Sequence, residues 1–339
     1  MVTSLDVARR AGVSQSAVSR AFTPGASVSS ETRAKVLTAA RDLGYRPNVV
    51  ARTLITGRSR MIGLVVAYLD NQYYPMALEK LCNRLQRQGY HVLVFMAAQS
   101  SVDVDEVLTE ILDYQVDGIV MASVAMSSEL AGRCDEAGVP VVLFNRVQDD
   151  DRFSAVSSDN AAGGAELARF LVAGGHTRIA YVAGWEGAST QRDREAGFRS
   201  GLAQCGVELV DRAVGDYDFA GAAAATRSLF HRARHPDAVF VANDHMAIAA
   251  MDVLRFELGL SVPEDVSVVG YDDAPPAAWP SYALTTVRQP TEPMVDAVVD
   301  ALMARIEDDD PRPRRGVFAG ELVVRRSARL PEGWSDAGV

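Results

Sequence analysis

The stretch Ser14-Gln15-Ser16-Ala17-Val18-Ser19-Arg20 decides how the N-terminal part of the chain folds. Its first serine can cap a helix, its alanine and valine can face a core, and its polar side chains can face outward. Upstream, residues 5–11 predict a shorter helix, and Thr3 with Asp6 can form a capping box at its start. Because only two residues, Gly12 and Val13, separate the helices, the chain must turn sharply, as in a helix-turn-helix. An ordinary amphipathic helix pair at the end of a globular chain is the alternative.

Charge separates the first sixty residues from the rest. Residues 1–60 hold ten Lys or Arg and three Asp or Glu, a net charge of +7, whereas residues 61–339 carry −17. A basic head on an acidic body is expected when only the head touches nucleic-acid phosphates. A randomly basic terminus is a weak alternative, because the sign reverses so sharply.

Residues 29–43 predict a third helix, capped by Ser29 and ended by Gly44. We expect one apolar face of this helix to close a small core over the first two helices. The predicted face consists of Val36, Leu37, Ala40 and Leu43.

Residues 48–57 predict a further helix, too short to be stable alone in water. Such a segment could fold only when it pairs with a partner. An interdomain linker with an incidental leucine, Leu54, is the alternative from the residues alone.

From Met61 onward, continuous apolar runs alternate with helical periodicity, which is typical of parallel sheets covered on both faces. The length suits two such units. Predicted strands cover 62–67, 91–95, 118–121, 139–144, 179–182, 238–241, 266–271 and 322–325. Residues 284–290 predict a crossover leading to a helix over 292–306, and the charged, proline-rich residues 307–315 predict a solvated loop.

Ligands of open α/β sheets bind beyond the carboxyl ends of the strands. Polar and aromatic residues follow the predicted strands there: Tyr73, Tyr74, Asn145, Arg146, Trp185, Thr190, Arg194, Asn243 and Asp272. Carboxylate and guanidinium groups can fix hydroxyls while aromatic faces cover a ring, so we expect a small polar ligand such as a sugar. For Arg194 and Asp272 the alternative is an interdomain salt bridge or a turn-forming acid. For the tyrosines and Trp279 it is packing in the wall.

The sequence carries few features of other protein classes. It has no P-loop, G-x-S-x-G, H-E-x-x-H or G-x-G-x-x-G motif, so we expect neither catalytic residues nor a cofactor. Cys82, Cys134 and Cys205 are far apart and odd in number, which favours free thiols in or near the core and a reducing cytoplasm. His231 and His235 could bind a metal, but a solvated helix end is the simpler interpretation. Neither a signal peptide nor a membrane span is predicted.

Four ordered motifs identify a family resemblance. They are Leu5-Asp6-Val7-Ala8-Arg9-Arg10-Ala11-Gly12-Val13-Ser14, Ala17-Val18-Ser19-Arg20-Ala21, Val28-Ser29-Ser30-Glu31-Thr32-Arg33 and Leu43-Gly44-Tyr45-Arg46-Pro47-Asn48. They resemble the lactose-repressor (LacI/GalR) family of bacterial transcription regulators, and the likeness covers nearly the whole chain. The resemblance implies a small all-α helix-turn-helix head and an α/β body of two parallel-sheet subdomains with a type I periplasmic-binding-protein-like fold.

The resemblance also implies a division into domains. Residues 1–46 would form the DNA-binding domain, 47–60 the hinge helix, and 61–331 the effector-binding and dimerisation domain. Within the last, one subdomain would take about 61–159 and 290–317, and the other about 160–289 and 318–331. Because the chain ends after Pro331 without a heptad pattern, we do not expect the tetramer-forming tail of some relatives.

Site residues follow from the matching positions. The predicted DNA-binding residues are Thr3, Ser14, Gln15, Ser16, Ser19, Arg20, Thr23, Tyr45, Asn48, Ala51 and Leu54, with Leu54 as a minor-groove wedge and Ala51 as the close-approach residue. The predicted ligand-binding residues are Tyr73, Tyr74, Asn145, Thr190, Arg194, Tyr217, Asn243 and Asp272. Asn145 stands where many relatives carry an aspartate, which leaves the ligand class open.

These observations predict a cytoplasmic, homodimeric repressor that binds double-stranded DNA at a palindromic operator and responds to a small-molecule effector. Arg20 is expected to read guanine and Gln15 adenine. A solute-binding protein would need a secretory signal and no basic head. A sugar- or nucleotide-processing enzyme would need an acid–base or nucleophile constellation, and the sequence shows none.

Overall fold

The computed structural model describes residues 2–23, 26–45, 58–97, 101–124, 128–148, 152–231, 234–308 and 310–335. The chain forms two compact units, Met1–Ser59 and Arg60–Val339. No helix of the described ranges is both long enough and apolar enough to cross a membrane.

The described residues of the first unit form three capped helices. Their bounds are α1 Ser4–Ala11, α2 Gln15–Phe22 and α3 Ser30–Leu43. Each cap follows from the local sequence: the side chains of Thr3, Ser14 and Ser29 accept hydrogen bonds from backbone N–H groups in the first turn. Gly12 and Gly44 end α1 and α3 in the left-handed conformation, with φ of 67° and 65°, which glycine adopts without steric cost.

The core of this unit differs from the prediction at one position. Val7, Val18 and Val36 meet at its centre and are almost fully buried. Leu37, however, is 41% exposed, so its assignment to the core face was wrong. Ala39 and Ala40 pack in the core instead. They lie three and four residues after Val36, so all three residues share the buried face of α3.

A six-stranded parallel sheet forms one half of the second unit. Its order is β11-β5-β4-β3-β1-β2. The strands are β1 Met61–Val66, β2 His91–Met96, β3 Gly118–Ala122, β4 Val141–Phe144, β5 Ser154–Ser158 and β11 Arg315–Phe318. Two helices pack on one face of this sheet: α4 Tyr73–Arg87 and α11 Thr291–Glu307. Two others contribute to the core on the opposite face: α5 Ser101–Asp113 and α6 Ser128–Glu136.

The central strands of this sheet alternate between two cores. Leu64 and Val66 of β1 pack with Leu81 and Val298, whereas Val65 packs with Leu108 on the opposite face. Helices therefore cover both faces, as the continuous apolar run of β1 predicts.

A four-stranded parallel sheet, in the order β7-β6-β8-β9, forms the other half. Its strands are β6 Ile179–Ala183, β7 Leu209–Val214, β8 Ala238–Val241 and β9 Ser267–Val269, and its helices are α7 Asn160–Ala173, α8 Ser189–Gln204, α9 Phe219–Phe230 and α10 Asp244–Asp252. Phe198, Phe240 and Tyr181 form an aromatic cluster between this sheet and α8. Two parallel-sheet subdomains are thus present, as expected.

Two of the segments that run between the subdomains pair with each other. Strand β10, Thr286–Arg288, pairs in antiparallel fashion with β12, Glu321–Val323. Between them, α11 and β11 lie with the six-stranded sheet, so this subdomain is discontinuous in sequence. The loop predicted over residues 307–315 is shorter in the structure, because α11 ends at Glu307 and β11 begins at Arg315.

Strands β5, β7 and β11 were not predicted, because none of them is a continuous apolar run. The β5 residues Ser154 and Ser158 are buried only through the neighbouring strands β4 and β11. One cysteine expectation was also wrong: Cys205 is exposed, since it follows the last turn of α8, whereas Cys134 is buried.

Candidate functional site

Helix α2 presents the polar surface that the sequence predicts. Ser14 Oγ accepts a hydrogen bond from the backbone N–H of Ala17 at 3.2 Å, which fixes the start of the helix. Four of the predicted DNA-binding residues lie on α2 and are exposed: Gln15, Ser16, Ser19 and Arg20. The unit that carries them has a net positive charge. A helix with these donors and acceptors fits the width of the DNA major groove.

Several of these polar groups also bond within the protein. Gln15 Nε2 donates to Ser4 Oγ at 2.9 Å, and Thr23 Oγ1 donates to the Ser19 carbonyl at 3.0 Å. The first bond joins α1 to the start of α2 across the turn, and the second lies at the last turn of α2.

Arg33 was missed by the sequence prediction. Its Nη1 donates to the Ala21 carbonyl at 2.7 Å, so α3 holds the last turn of α2. Of the other predicted DNA-binding residues, Thr3 is exposed and Tyr45 packs against Phe22 with ring centroids 5.9 Å apart. Asn48, Ala51 and Leu54 lie outside the described residues.

The predicted ligand-binding residues lie at the carboxyl ends of strands or on the helices that follow them. All eight are buried: Tyr73, Tyr74, Asn145, Thr190, Arg194, Tyr217, Asn243 and Asp272. We refer to the region between the two sheets that these eight residues line as the cleft. Buried polar groups need partners, so the hydrogen bonds of these residues show how the cleft is built.

Arg194 is the centre of one cluster. Its Nε donates to Asn160 Oδ1 at 2.8 Å, its Nη1 donates to the Ala242 carbonyl, and its Nη2 donates to Asp272 Oδ1 at 3.2 Å. The guanidinium carbon also lies 3.7 Å from the ring centroid of Tyr271. Every nitrogen of this arginine therefore has a protein partner, and Arg194 and Asp272 form a buried ion pair.

Asp272 joins elements from both subdomains. Its carboxylate accepts from Gln289 Nε2 at 2.7 Å and from Asn71 Nδ2 at 3.4 Å, and Asn71 follows a strand of the other sheet. Its backbone has a φ of 121°, which is unusual for a residue other than glycine. Strain of this kind persists where surrounding bonds hold the chain, as they do here.

Asn243 and Asp244 begin helix α10. Asn243 Oδ1 accepts from the backbone N–H of Met246 at 3.0 Å, so its carbonyl is used as a helix cap. The Asp244 carboxylate accepts from Thr286 Oγ1 at 2.6 Å and from the backbone N–H of Ala274 at 2.8 Å. Burial raises the pKa of Asp244 well above its usual range, and the nearby Asp272 carboxylate raises it further.

Aromatic side chains line the rest of the cleft. Tyr73 and Tyr74 pack edge to face at 5.4 Å, and Tyr217 Oη lies 3.2 Å from Thr190 Oγ1. Gly184 permits this position of Tyr217, since a Cβ there would lie 2.3 Å from the tyrosine ring. Trp279, in contrast, is 55% exposed and does not form a buried wall.

The prediction missed residues that complete the cleft. Asn71, Asn160 and Gln289 each bond to Arg194 or Asp272. They follow β1, β5 and β10, so the strand-end rule could have found them had all these strands been predicted. Within the described ranges no group of three or more His, Cys, Asp or Glu could hold a metal ion. His231 and His235 do not share one helix, because α9 ends at Phe230.

Comparison with known proteins agrees with this architecture. Residues 3–48 match the family of "Bacterial regulatory proteins, lacI family", and residues 168–328 match the "Periplasmic binding protein-like domain". The chain is 36% identical to the HTH-type transcriptional regulator CelR of Thermobifida fusca, over 95% of this chain and 96% of CelR.

Two solved structures are similar over almost the whole chain. A complex of CelR with cellobiose has 33% identity and a TM-score of 0.73, covering 97% of this chain and 100% of that chain. A lac repressor dimer bound to operator and the anti-inducer ONPF has 29% identity and a TM-score of 0.86, covering 96% of this chain and 98% of that chain. These relatives are DNA-binding regulators, which argues against the solute-binding protein and the enzyme considered from the sequence. The chain belongs to the LacI family of bacterial regulatory proteins and is a DNA-binding transcription regulator.

Proposed function

We propose that this regulator is a homodimeric repressor whose affinity for a palindromic operator is controlled by a saccharide in the cleft between its two α/β subdomains. The observation that carries this proposal is the buried cleft of carboxylate, guanidinium, amide and aromatic groups at the carboxyl ends of both sheets. Its relatives support the ligand class, since CelR is complexed with cellobiose and the lac repressor with ONPF.

The head would read DNA through α2. Arg20 can donate to O6 and N7 of guanine, and Gln15 can bond to adenine, whereas phosphates would bind the surrounding basic side chains. Two heads of a symmetric dimer would require two half-sites, and the lac repressor dimer on its operator is a precedent. The proposed wedge, Leu54, would insert at a flexible central step.

The cleft would control the head by linkage. Asn71 and Asp272 connect the two subdomains, so a ligand between them would favour one relative placement. If that placement changes hinge pairing, ligand and operator affinities must change each other by the same factor. We infer that the protein works in the cytoplasm, where its DNA is.

Operator binding in the presence and absence of sugars tests this function. Fluorescence anisotropy with labelled duplex from the upstream region of the gene would be measured with and without cellobiose, ribose and lactose. We expect tighter binding than to random duplex, and a shift in affinity with at least one sugar. Equal affinity for random and promoter duplex at moderate salt would overturn the DNA-binding role.

Two variants separate the parts of the mechanism. Arg20→Gln should weaken operator binding by about 1–3 kcal/mol and relax selectivity at one base position. Leu54→Ala should weaken operator binding while sugar binding is kept. Arg192→Gln serves as a control, because Arg192 is exposed on α8 and pairs with its neighbour Asp193.

A further inference from the structure

Arg146 is a buried arginine whose nitrogens have no protein partner. It follows β4 and is 3% exposed, and within the described ranges none of Nε, Nη1 and Nη2 has a hydrogen-bond partner. Arg194, the other arginine of the cleft, has a partner for each nitrogen. Arg146 therefore has a buried guanidinium whose donors no acceptor of the described residues uses.

The surroundings of Arg146 orient these donors. Its guanidinium carbon lies 5.0 Å from the ring centroid of Trp185, which follows β6 in the other subdomain. A cation–π contact uses the charge of the guanidinium and needs none of its N–H groups as hydrogen-bond donors. An occupant bonded to that edge would be held beside residues of both subdomains.

A second group next to Arg146 is also incomplete. Asn145 Nδ2 donates to Tyr74 Oη at 3.3 Å, but Asn145 Oδ1 has no donor within the described part of the chain. Arg146 thus supplies donors and Asn145 an acceptor. Both groups are buried, and leaving them without partners costs free energy, since arginine keeps its charge in proteins.

Resting on the function proposed above, we propose that Arg146 is an effector-binding residue that donates to two adjacent hydroxyls of a neutral saccharide. One of these hydroxyls donates in turn to Asn145 Oδ1. A hydroxyl both accepts and donates, so a vicinal diol satisfies both residues at once. A carboxylate or phosphate would accept from Arg146 but has no proton for Asn145 Oδ1, which is why the geometry favours a diol over an acidic group at this position.

Ligand titration of matched variants tests this assignment. Cellobiose, ribose and lactose serve as neutral probes and glucuronate as the acidic probe, with binding followed by calorimetry and by tryptophan fluorescence. We expect Arg146→Met to lower the affinity for the best-binding neutral probe at least tenfold, which corresponds to about 1.4 kcal/mol. Arg146→Lys should weaken binding of this probe less than Arg146→Met does, because the lysine ammonium keeps part of the hydrogen-bond donors of the guanidinium. Arg192→Met is the control and should leave binding unchanged.

Two further measurements, the Tm and the operator affinity without sugar, distinguish a ligand-binding role of Arg146 from a structural one. Without sugar, Arg146→Met should have a Tm equal to or above that of the parent and unchanged operator affinity, because it removes an uncompensated buried charge. Either of two results for Arg146→Met would overturn the assignment: a lowered Tm, or an affinity for the best neutral sugar within twofold of that of the parent protein. So would preferential binding of glucuronate that Arg146→Met abolishes. If the parent protein bound the operator but none of the sugars, the saccharide effector itself would be wrong.

Discussion

Replacing Arg194 with methionine tests how the cleft is held together. Methionine keeps much of the volume and can still pack on the Tyr271 ring, but it has no donor. The substitution leaves the Asp272 carboxylate without its cation and removes the donors to Asn160 Oδ1 and the Ala242 carbonyl. Because all of these groups are buried, water cannot replace the guanidinium.

The expected magnitude follows from this arrangement. Removing one partner of a buried ion pair costs about 3–5 kcal/mol, because the remaining charge is uncompensated. Gln289 and Asn71 still donate to Asp272, which places the expected loss toward the lower part of that range. Adding Asp272→Asn removes the uncompensated charge. The double variant should therefore lose less unfolding free energy than the two single variants lose together, by about 1–3 kcal/mol.

Urea unfolding followed by tryptophan fluorescence measures this loss. All three tryptophans, Trp185, Trp279 and Trp334, lie in the second unit, so the signal reports its unfolding alone. Operator binding at low temperature should be kept, whereas the response to the effector should be lost. A loss below about 1 kcal/mol for Arg194→Met, or strict additivity in the double variant, would refute the proposed role of the ion pair.

Two further substitutions test packing and pH dependence. Asp244→Asn should flatten the decline in Tm as the pH rises above about 4, because burial raises the pKa of Asp244. The native state then keeps a proton that the unfolded chain loses above about pH 4, so stability falls as the pH rises; an unchanged pH profile would contradict this. Gly197→Ala should lower the free energy of unfolding by about 1–3 kcal/mol, since its Cβ would lie 2.0 Å from the Ala161 carbonyl oxygen. The matched change Gly132→Ala has no atom within 4 Å and should leave stability unchanged or slightly raised.

Local rules predicted the head and the central strands from the sequence alone. Ser14, Ser29 and Gly44 act within one helical turn of their own positions, so neighbouring residues suffice to predict the ends of α2 and α3. The apolar run of β1 likewise identifies a strand buried on both faces. These features depend on contacts between residues that are close in the chain.

The cleft and the edge strands depend on contacts between distant residues. Arg194 and Asp272 are 78 positions apart, and no local pattern states that Arg194 uses all its nitrogens within the protein while Arg146 keeps its own free. Strand β11 is a strand because β5 offers it a free edge, although its own sequence is charged and short. Sequence periodicity reports only which face of an element is apolar; which polar groups meet, and which are left for a ligand, is decided when the two sheets come together.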